Sequence, residues 1–465
     1  MKNLVLIICF CFGSVLIAQE DNSVLRFDEY LGYVKSYHPI VKQATLIIDE
    51  SQAKLMKARG AFDPKMEVDY DRKTFKGSEY YDKLNASFKI PTWYGIELKA
   101  NFEENEGLFI NPEGVLPQDG LYSAGVSFSV AQGLLINERM ASVKQAKLFK
   151  EQAKADRDIL VNNILYEASL VYFNWLKVYN EVRVYDDFLV NAKLRFNGIK
   201  KSVEEGEIAA IDSIEARIIL NDRHLNLEKS KIKLTKASLE LSNYLWLDNN
   251  IPVELQPNVI PDIDSEAIID NSLQVSEFAL GSFNIEEHPK LQSLGFKYDR
   301  LNIDRRLKAN MLLPQIDLQY NFLSQTPEMA NSFNTVNYKT GISMSFPLFL
   351  RKERGDLKLA KLKMADLEYE INSSKVIIKN KINAIKQELE SYVLQNNLTT
   401  TIVQDYEALV IAEERKFAMG ESSLFLVNTR EGKLIDAKIK AIELQNQYFS
   451  TKALLFNSLI VNPSL

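Results

Sequence analysis

Cysteine is nearly absent: the 465 residues hold two, Cys9 and Cys11, both inside one apolar run near the start. The rest of the chain therefore has no disulfide framework. Neither cysteine follows the small residues of a lipid-attachment site. Histidine is almost as scarce, with His38, His224 and His288 the full set. Two of them precede prolines and read as turn residues, and His224 falls in a helical stretch, so no metal cluster is implied. No phosphate loop, dinucleotide fingerprint or nucleophile–histidine constellation is found. An enzyme reading has no support, and no cofactor or catalytic residue is expected. Basic residues form no block of the size that nucleic acid favours. Past residue 19 no uninterrupted apolar stretch reaches the ~20 residues of a spanning helix. Any membrane span there would have to be made of strands.

Met1-Lys2-Asn3, the apolar run Leu4 to Ile17 and the small-residue step at Ala18-Gln19 read as a secretory signal over 1–19. Its removal takes Lys2 away and leaves 55 basic against 62 acidic side chains, a formal charge of −7.

An internal duplication organises the chain beyond residue 19. At a shift of 250 residues His38-Pro39 falls on His288-Pro289, Asp49 on Asp299, Pro64 on Pro314, and Met66-Val68-Tyr70 on Ile316-Leu318-Tyr320. Further on, Val126-Ser127-Phe128-Ser129 matches Ile342-Ser343-Met344-Ser345 at a shift of 216, and Gly206-Glu207 matches Gly420-Glu421 at 214. The second copy has lost loop and strand material. The domains read as a first repeat over 20–247, a linker over 248–287 broken by Pro252, Pro257 and Pro261, and a second repeat over 288–465. Each repeat has the same order. A helix (about 39–59 and 289–309) is followed by strands (about 65–130 and 315–346) and a long helical hairpin (about 139–247 and 354–461).

Residues 65–73, 83–90, 95–103 and 122–130 alternate apolar with polar side chains, as do 315–323 and 338–346. A period of two marks strands wet on one side. Several are near the ~9 to 11 residues that a tilted strand needs to cross an outer membrane. Tyr80, Tyr81, Trp93, Tyr94, Phe109 and Tyr122 stand near strand ends, where amphipathic rings favour the headgroup boundary. The same alternation suits a soluble sandwich, and the strands alone do not choose. A few strands cannot close a barrel unaided, so membrane insertion would imply an oligomer. Asn85-Ala86-Ser87 and Pro91-Thr92-Trp93-Tyr94-Gly95 point to an additional hairpin in copy one.

From Ala141 to Val203 there is no proline and only one glycine, Gly198. About 60 helical residues give roughly 90 Å. Ile164, Ala168, Val171, Trp175, Val178, Val182, Tyr185, Leu189, Ala192, Phe196, Ile199 and Val203 recur with 4-3 spacing, a coiled-coil seam. The returning helix carries two seven-residue series. Ile211, Ile218, Leu225, Ile232, Leu239 and Trp246 form one, and Leu220, Leu227, Leu234 and Leu241 the other, ~200° away. Such a helix suits a stave with neighbours on both sides; an extended bundle is the alternative. Copy two has Leu357, Met364, Ile371, Ile378, Ile385 and Tyr392, with Ile435, Ile442, Phe449 and Phe456 on its partner helix.

The turns between the long helices read Gly206-Glu207-Ile208-Ala209-Ala210-Ile211-Asp212 in copy one and Phe417-Ala418-Met419-Gly420-Glu421-Ser422-Ser423-Leu424 in copy two. With the duplication, this resembles the TolC-like outer membrane factor family over essentially the whole mature chain. The resemblance implies a mixed α and β membrane protein, a homotrimer whose strands pool into a transmembrane β-barrel continued by a periplasmic α-helical barrel. It implies an outer-membrane channel, the exit duct of a tripartite efflux or type I secretion system, whose tip docks a periplasmic adaptor and an inner-membrane transporter. Some members ring the second tip with acids three apart. Those positions here are Leu426 and Thr429, so that ring is missing, while the equivalents in copy one are Asp212 and Glu215. These two are gate candidates, and they also suit a solvated first turn, where acids favour the helix N-terminus. Gly206, Asp212, Glu215, Phe417, Gly420, Leu426 and Thr429 are therefore the candidate gate and tip. A periplasmic coiled-coil adaptor or scaffold is the competing reading; adaptors usually carry one hairpin and an inner-membrane anchor. Arg351-Lys352-Glu353-Arg354 starts a long helix and reads as a solvated bend below the barrel, and Lys229, Lys231, Lys233 and Lys236 read as a solvated helix face, with a partner surface as the alternative.

Overall fold

The computed structural model describes residues 23–275, 284–326 and 335–460; the signal expected over 1–19 lies outside them. Apart from single 3₁₀ turns, the elements begin with β1 (Ser23–Leu25), α1 (Phe27–Tyr37), α2 (Pro39–Arg59), β2 (Lys65–Phe75), β3 (Ser78–Pro91), β4 (Ile96–Glu106) and β5 (Leu121–Ser129). Next come α3 (Glu138–Glu204), α4 (Ala210–Ser242), β6 (Trp246–Leu247), β7 (Ile251–Pro252), β8 (Val259–Pro261) and α5 (Glu266–Leu273). Copy two supplies α6 (Pro289–Asn310), β9 (Gln315–Ser324), β10 (Tyr338–Ser345), α7 (Arg351–Ala418) and α8 (Leu424–Leu459).

The two His-Pro pairs start helices. A residue before proline is pushed out of the α region, and His38 and His288 share φ −63° with ψ 132° and 125°. The proline then takes the first helical position, where no N–H is needed. Each ring closes the helix end by accepting a backbone N–H at Nδ1, from Ile40 at 3.3 Å and from Lys290 at 3.2 Å. His288 Nε2 donates to the Ser458 carbonyl at 3.1 Å, which ties α6 to α8. The histidines are thus buried caps, a more specific part than the turn role their Pro neighbours suggest.

α3 has 67 residues and α7 has 68, roughly 100 Å each at the helical rise. Every member of the α3 seam is buried or half-buried. α3 is the centre of the molecule: α2 and α4 pack along one side of it, α6 and α8 along the other, and α7 packs on α6 and α8. Because α2 and α4 follow one another along the same side, as do α6 and α8, one chain supplies four staves, α2/α4, α3, α6/α8 and α7. α4 stops at Ser242, where the chain turns into the β6–β7 ribbon through Asn249 and Asn250, both near φ +59°. Asparagine tolerates that left-handed conformation better than other side chains with a Cβ.

The main core girdles the middle of the staves. Phe27, Tyr30 and Leu31 of α1 meet Tyr172, Phe173 and Trp175 of α3 and Phe449 and Phe456 of α8, with Ile269 and Leu273 of α5 closing it. β8 pairs in parallel with β1, and the buried Tyr172 hydroxyl donates to the Leu25 carbonyl at 2.9 Å. Lys452 on α8 reaches Asp270 of α5 at 2.6 Å. Burying a lysine is costly unless its charge is paired; here the pair pins α5 to the girdle.

All six longer strands form one antiparallel sheet in the order β10-β9-β5-β4-β3-β2. Copy one supplies four strands and copy two supplies two, and they join at β5 and β9.

Candidate membrane face, seams and tip

Strand register decides which side chains share a face, and here it aligns the apolar positions of both copies. Met66, Phe88, Ala100, Ala124, Phe322 and Tyr338 stand opposite one another across all six strands. The adjacent row, pointing to the other face, is Lys65, Lys89, Lys99, Gly125, Asn321 and Lys339. The pattern repeats along the strands, with Ile96, Phe128, Leu318 and Ile342 in a further apolar row. Most apolar side chains of β2 and β10 are exposed in the single chain. The polar face makes its own contacts: Lys89 pairs with Glu67, Ser129 donates to Asp317, and Arg139 at the start of α3 reaches Glu97 at 2.5 Å. The aromatic residues gather at the two strand ends. Tyr80 stacks on Phe109 at 4.6 Å at one end, and Trp93 stacks on Phe62 at 5.4 Å at the other, beside Leu55 and Val143.

The helices show the same one-sided satisfaction. On α4 the series Leu227 and Leu241, with Ala216, Ser230 and Ala237, is buried against the molecule. The other series, Ile211, Ile218, Leu225, Ile232 and Leu239, is exposed. On α7, Ile385 and Ile382 are buried while Leu362, Tyr369, Val376, Ile402 and Leu409 are exposed. The two outer staves each keep an apolar stripe that the described residues leave uncovered. Lys231 pairs with Glu228, and Lys233 with Glu181, on exposed lysine side chains of α4.

At the tip, Gly206 and Gly420 have φ +78° and +79°, a conformation that glycine enters without strain. Each ends its helix with the same two hydrogen bonds. Gly206 and Glu207 donate to Val203 and Ser202, and Gly420 and Glu421 donate to Phe417 and Lys416. Phe417 packs against Ile199, Ala216 and Leu424 in a small core joining the two hairpins. Leu426 and Thr429 are exposed on α8, and the Thr429 hydroxyl donates to the Phe425 carbonyl at 2.7 Å. Asp212 lies in the first turn of α4. Glu215 accepts from Asn428 of α8 at 3.2 Å, so the acidic pair is split: one member at the helix start, the other bound across the seam.

A buried ionic cluster lies above these residues. Glu431 of α8 faces Arg195 of α3 at 2.7 Å and Arg223 of α4 at 3.5 Å. Arg195 also reaches Glu414 of α7 at 2.9 Å and donates to Asn428 at 3.3 Å. With Arg223, the cluster links all four long helices. Sequence reasoning passed over it, although Asn428 and Glu431 carry a signal: they stand on the α8 stripe of Val427, Leu434 and Ile435, where a polar residue needs a partner.

The whole structure superposes on solved channels. MtrE of Neisseria gonorrhoeae, an outer membrane channel in its open state, aligns at TM-score 0.66 with 13% identity, over 94% of this chain and 89% of that one. The outer membrane channel CmeC of Campylobacter jejuni gives 0.64 and 13%, over 93% and 85%. The outer membrane protein VceC of Vibrio cholerae gives 0.64 and 11%, over 93% and 95%. The chain has the outer-membrane channel fold. No family model and no curated protein matches the sequence, so the fold is shared with these channels at little residue identity.

Proposed function

We propose that this protein is an outer-membrane exit duct, a passive conduit in a tripartite efflux or type I secretion system. The observation that carries this reading is the register of the six-stranded sheet, which collects the apolar residues of both copies on one face. A sheet exposed to water on both sides gains nothing from such a face, whereas a barrel wall between lipid and an aqueous lumen requires it. Three copies pool their strands in the outer membrane, and twelve staves continue as a periplasmic tube. The uncovered stripes of α4 and α7 support that assembly, since each suits a neighbour of the same kind. Direction and energy come from an inner-membrane transporter reached through a periplasmic adaptor at the helical tip. Outer-membrane fractionation with a mass measurement in mild detergent tests the reading. A trimer in the outer membrane is expected; a monomer in the soluble periplasm would end it.

A further inference from the structure

Inside one chain, β5, the last strand that copy one gives to the six-stranded sheet, pairs with β9, the first that copy two gives to it. In a closed ring the copies meet a second time, where one chain's sheet ends at β10 and the next chain's sheet begins at β2. β2 and β10 are the two edges of the sheet, and an even number of antiparallel strands presents them in opposite senses, as antiparallel closure requires. We propose that three copies close an eighteen-stranded barrel in which β10 pairs with β2 of the next chain in the register that β5 keeps with β9. The proposal rests on the reading of the protein as a trimeric duct.

The duplication sets the register. β9 corresponds to β2 at a shift of 250, and β10 corresponds to β5 at 216. Val126 opposite Tyr320 and Phe128 opposite Leu318 therefore translate into Ile342 opposite Tyr70 and Met344 opposite Val68. These four are 76%, 58%, 68% and 56% exposed in the single chain. The pairing continues the apolar face across the junction, and a slip of one residue would set apolar against polar.

A glycine fits the same register. Gly125 lies opposite Asn321, and a Cβ on it would overlap the Tyr320 carbonyl and the Asn321 side chain. Its counterpart in copy two is Gly341, beside which no described residue lies within 4 Å. The counterpart of Asn321 is Asp71. The open space beside Gly341 is the seat of Asp71 from the next chain.

The strand count follows from the unequal copies. Copy one sets the β3–β4 hairpin between β2 and β5, whereas their counterparts β9 and β10 pair with each other, so four staves carry six strands. Twelve staves at about 9 Å make a ring about 110 Å round. Eighteen strands ~4.8 Å apart and tilted by ~40° make one of about the same girth. Twelve strands at that tilt would span only about 75 Å. The inserted hairpin therefore lets the sheet meet the tube at equal width, with a lumen of the porin class.

Cysteine pairs test the register in the full-length protein carrying Cys9→Ala and Cys11→Ala. Asp69→Cys with Ser343→Cys stand directly opposite in the proposed pairing and are expected to give covalent trimers on oxidation of outer membranes. The two positions lie at opposite edges of one chain's sheet, too far apart for an internal disulfide. Asp69→Cys with Met344→Cys, one residue out of register, is expected to link at least tenfold less; the reverse preference, or no link from the first pair, would overturn the register. Gly341→Gln, for which the single chain has room, is expected to lower the trimer fraction at least tenfold with unchanged circular dichroism. Undiminished assembly would remove the Asp71 seat. Electron microscopy of the protein in lipid nanodiscs counts the strands. Eighteen supports the proposal; a trimer with twelve, its β3–β4 hairpin outside the wall, overturns it and leaves the duct reading standing. A monomer overturns both.

Discussion

Arg195 and Glu431 meet at 2.7 Å across the contact of α3 and α8, with the carboxylate 1% exposed. Their neighbours extend the pair into a lock: Arg223 brings in α4 and Glu414 brings in α7. Removing one partner of a buried ionic group leaves the others uncompensated, at a cost of about 3–5 kcal/mol. Glu431→Ala is therefore expected to lower the unfolding midpoint in detergent and to loosen the tip, seen as faster proteolysis near Gly206 and Gly420. Glu431→Gln, which keeps the shape, should lose less. Equal midpoints for both variants and the parent protein would show that the cluster holds nothing.

Asp212 and Glu215 are separable. Glu215 is bonded to Asn428 on α8, so Glu215→Ala is expected to weaken the seam of the two hairpins and raise single-channel conductance in planar bilayers. Asp212→Ala should change cation block more than conductance. If the double variant conducts and blocks as the parent does, neither residue belongs to a gate.

The histidine caps predict a pH dependence. Burial lowers the pKa of His38 and His288 from the usual 6.5, against a smaller opposing contribution from backbone hydrogen bonds. Above pH 6.5 the rings are neutral in folded and unfolded chains alike, and stability is complete. As pH falls through 6.5 the unfolded chain takes up protons that the folded rings resist, so stability declines until the folded rings protonate too. Protonation also ends acceptance at Nδ1. Thermal midpoints between pH 8 and 5 should fall in the parent and stay flatter in His38→Asn/His288→Asn, because asparagine caps without titrating. Parallel curves would count against the caps as the source.

Gly206→Ala and Gly420→Ala each force a Cβ into the left-handed region, at about 1–2 kcal/mol. The chain has space at both positions, so the cost is conformational and should appear in chemical denaturation as similar losses for the two variants. Unequal losses would mean that the turns are not equivalent.

On the sheet, Phe322→Lys puts a charge in the apolar row of β9, worth about 2–4 kcal/mol at mid-membrane. Gln319→Lys puts the same charge on the polar face. Outer-membrane yield should fall for the first and hold for the second; the opposite result would invert the two faces.

Much of this architecture is legible in local pattern. The period-two runs at 122–130 and 315–323 became β5 and β9, and the 4-3 seam of Ile164 through Val203 lies inward along α3. Position along the chain was enough there, because each pattern is set by a single element's own geometry. It was not enough to rank the two series on α4. Both repeat every seven residues, and only the small Ala216, Ser230 and Ala237 beside the leucines mark the side on which α3 comes close. Arg195 and Glu431 were hidden for a related reason: they are far apart in sequence, and each looks like an ordinary helical charge until the α3–α8 contact removes it from water. The cap role of His38 and His288 needed ring orientation, which a His-Pro dipeptide leaves open.

The polar face of the sheet carries charges of both signs. Glu67, Asp69, Asp71, Glu97, Glu103 and Asp317 share it with Lys65, Lys73, Lys83, Lys89, Lys99 and Lys339. The acids and the lysines cancel, which leaves this wall close to neutral. A surface so balanced focuses no field of one sign. In the proposed duct, cations and anions would meet it on nearly equal terms, and discrimination among solutes would fall to the far end of the molecule.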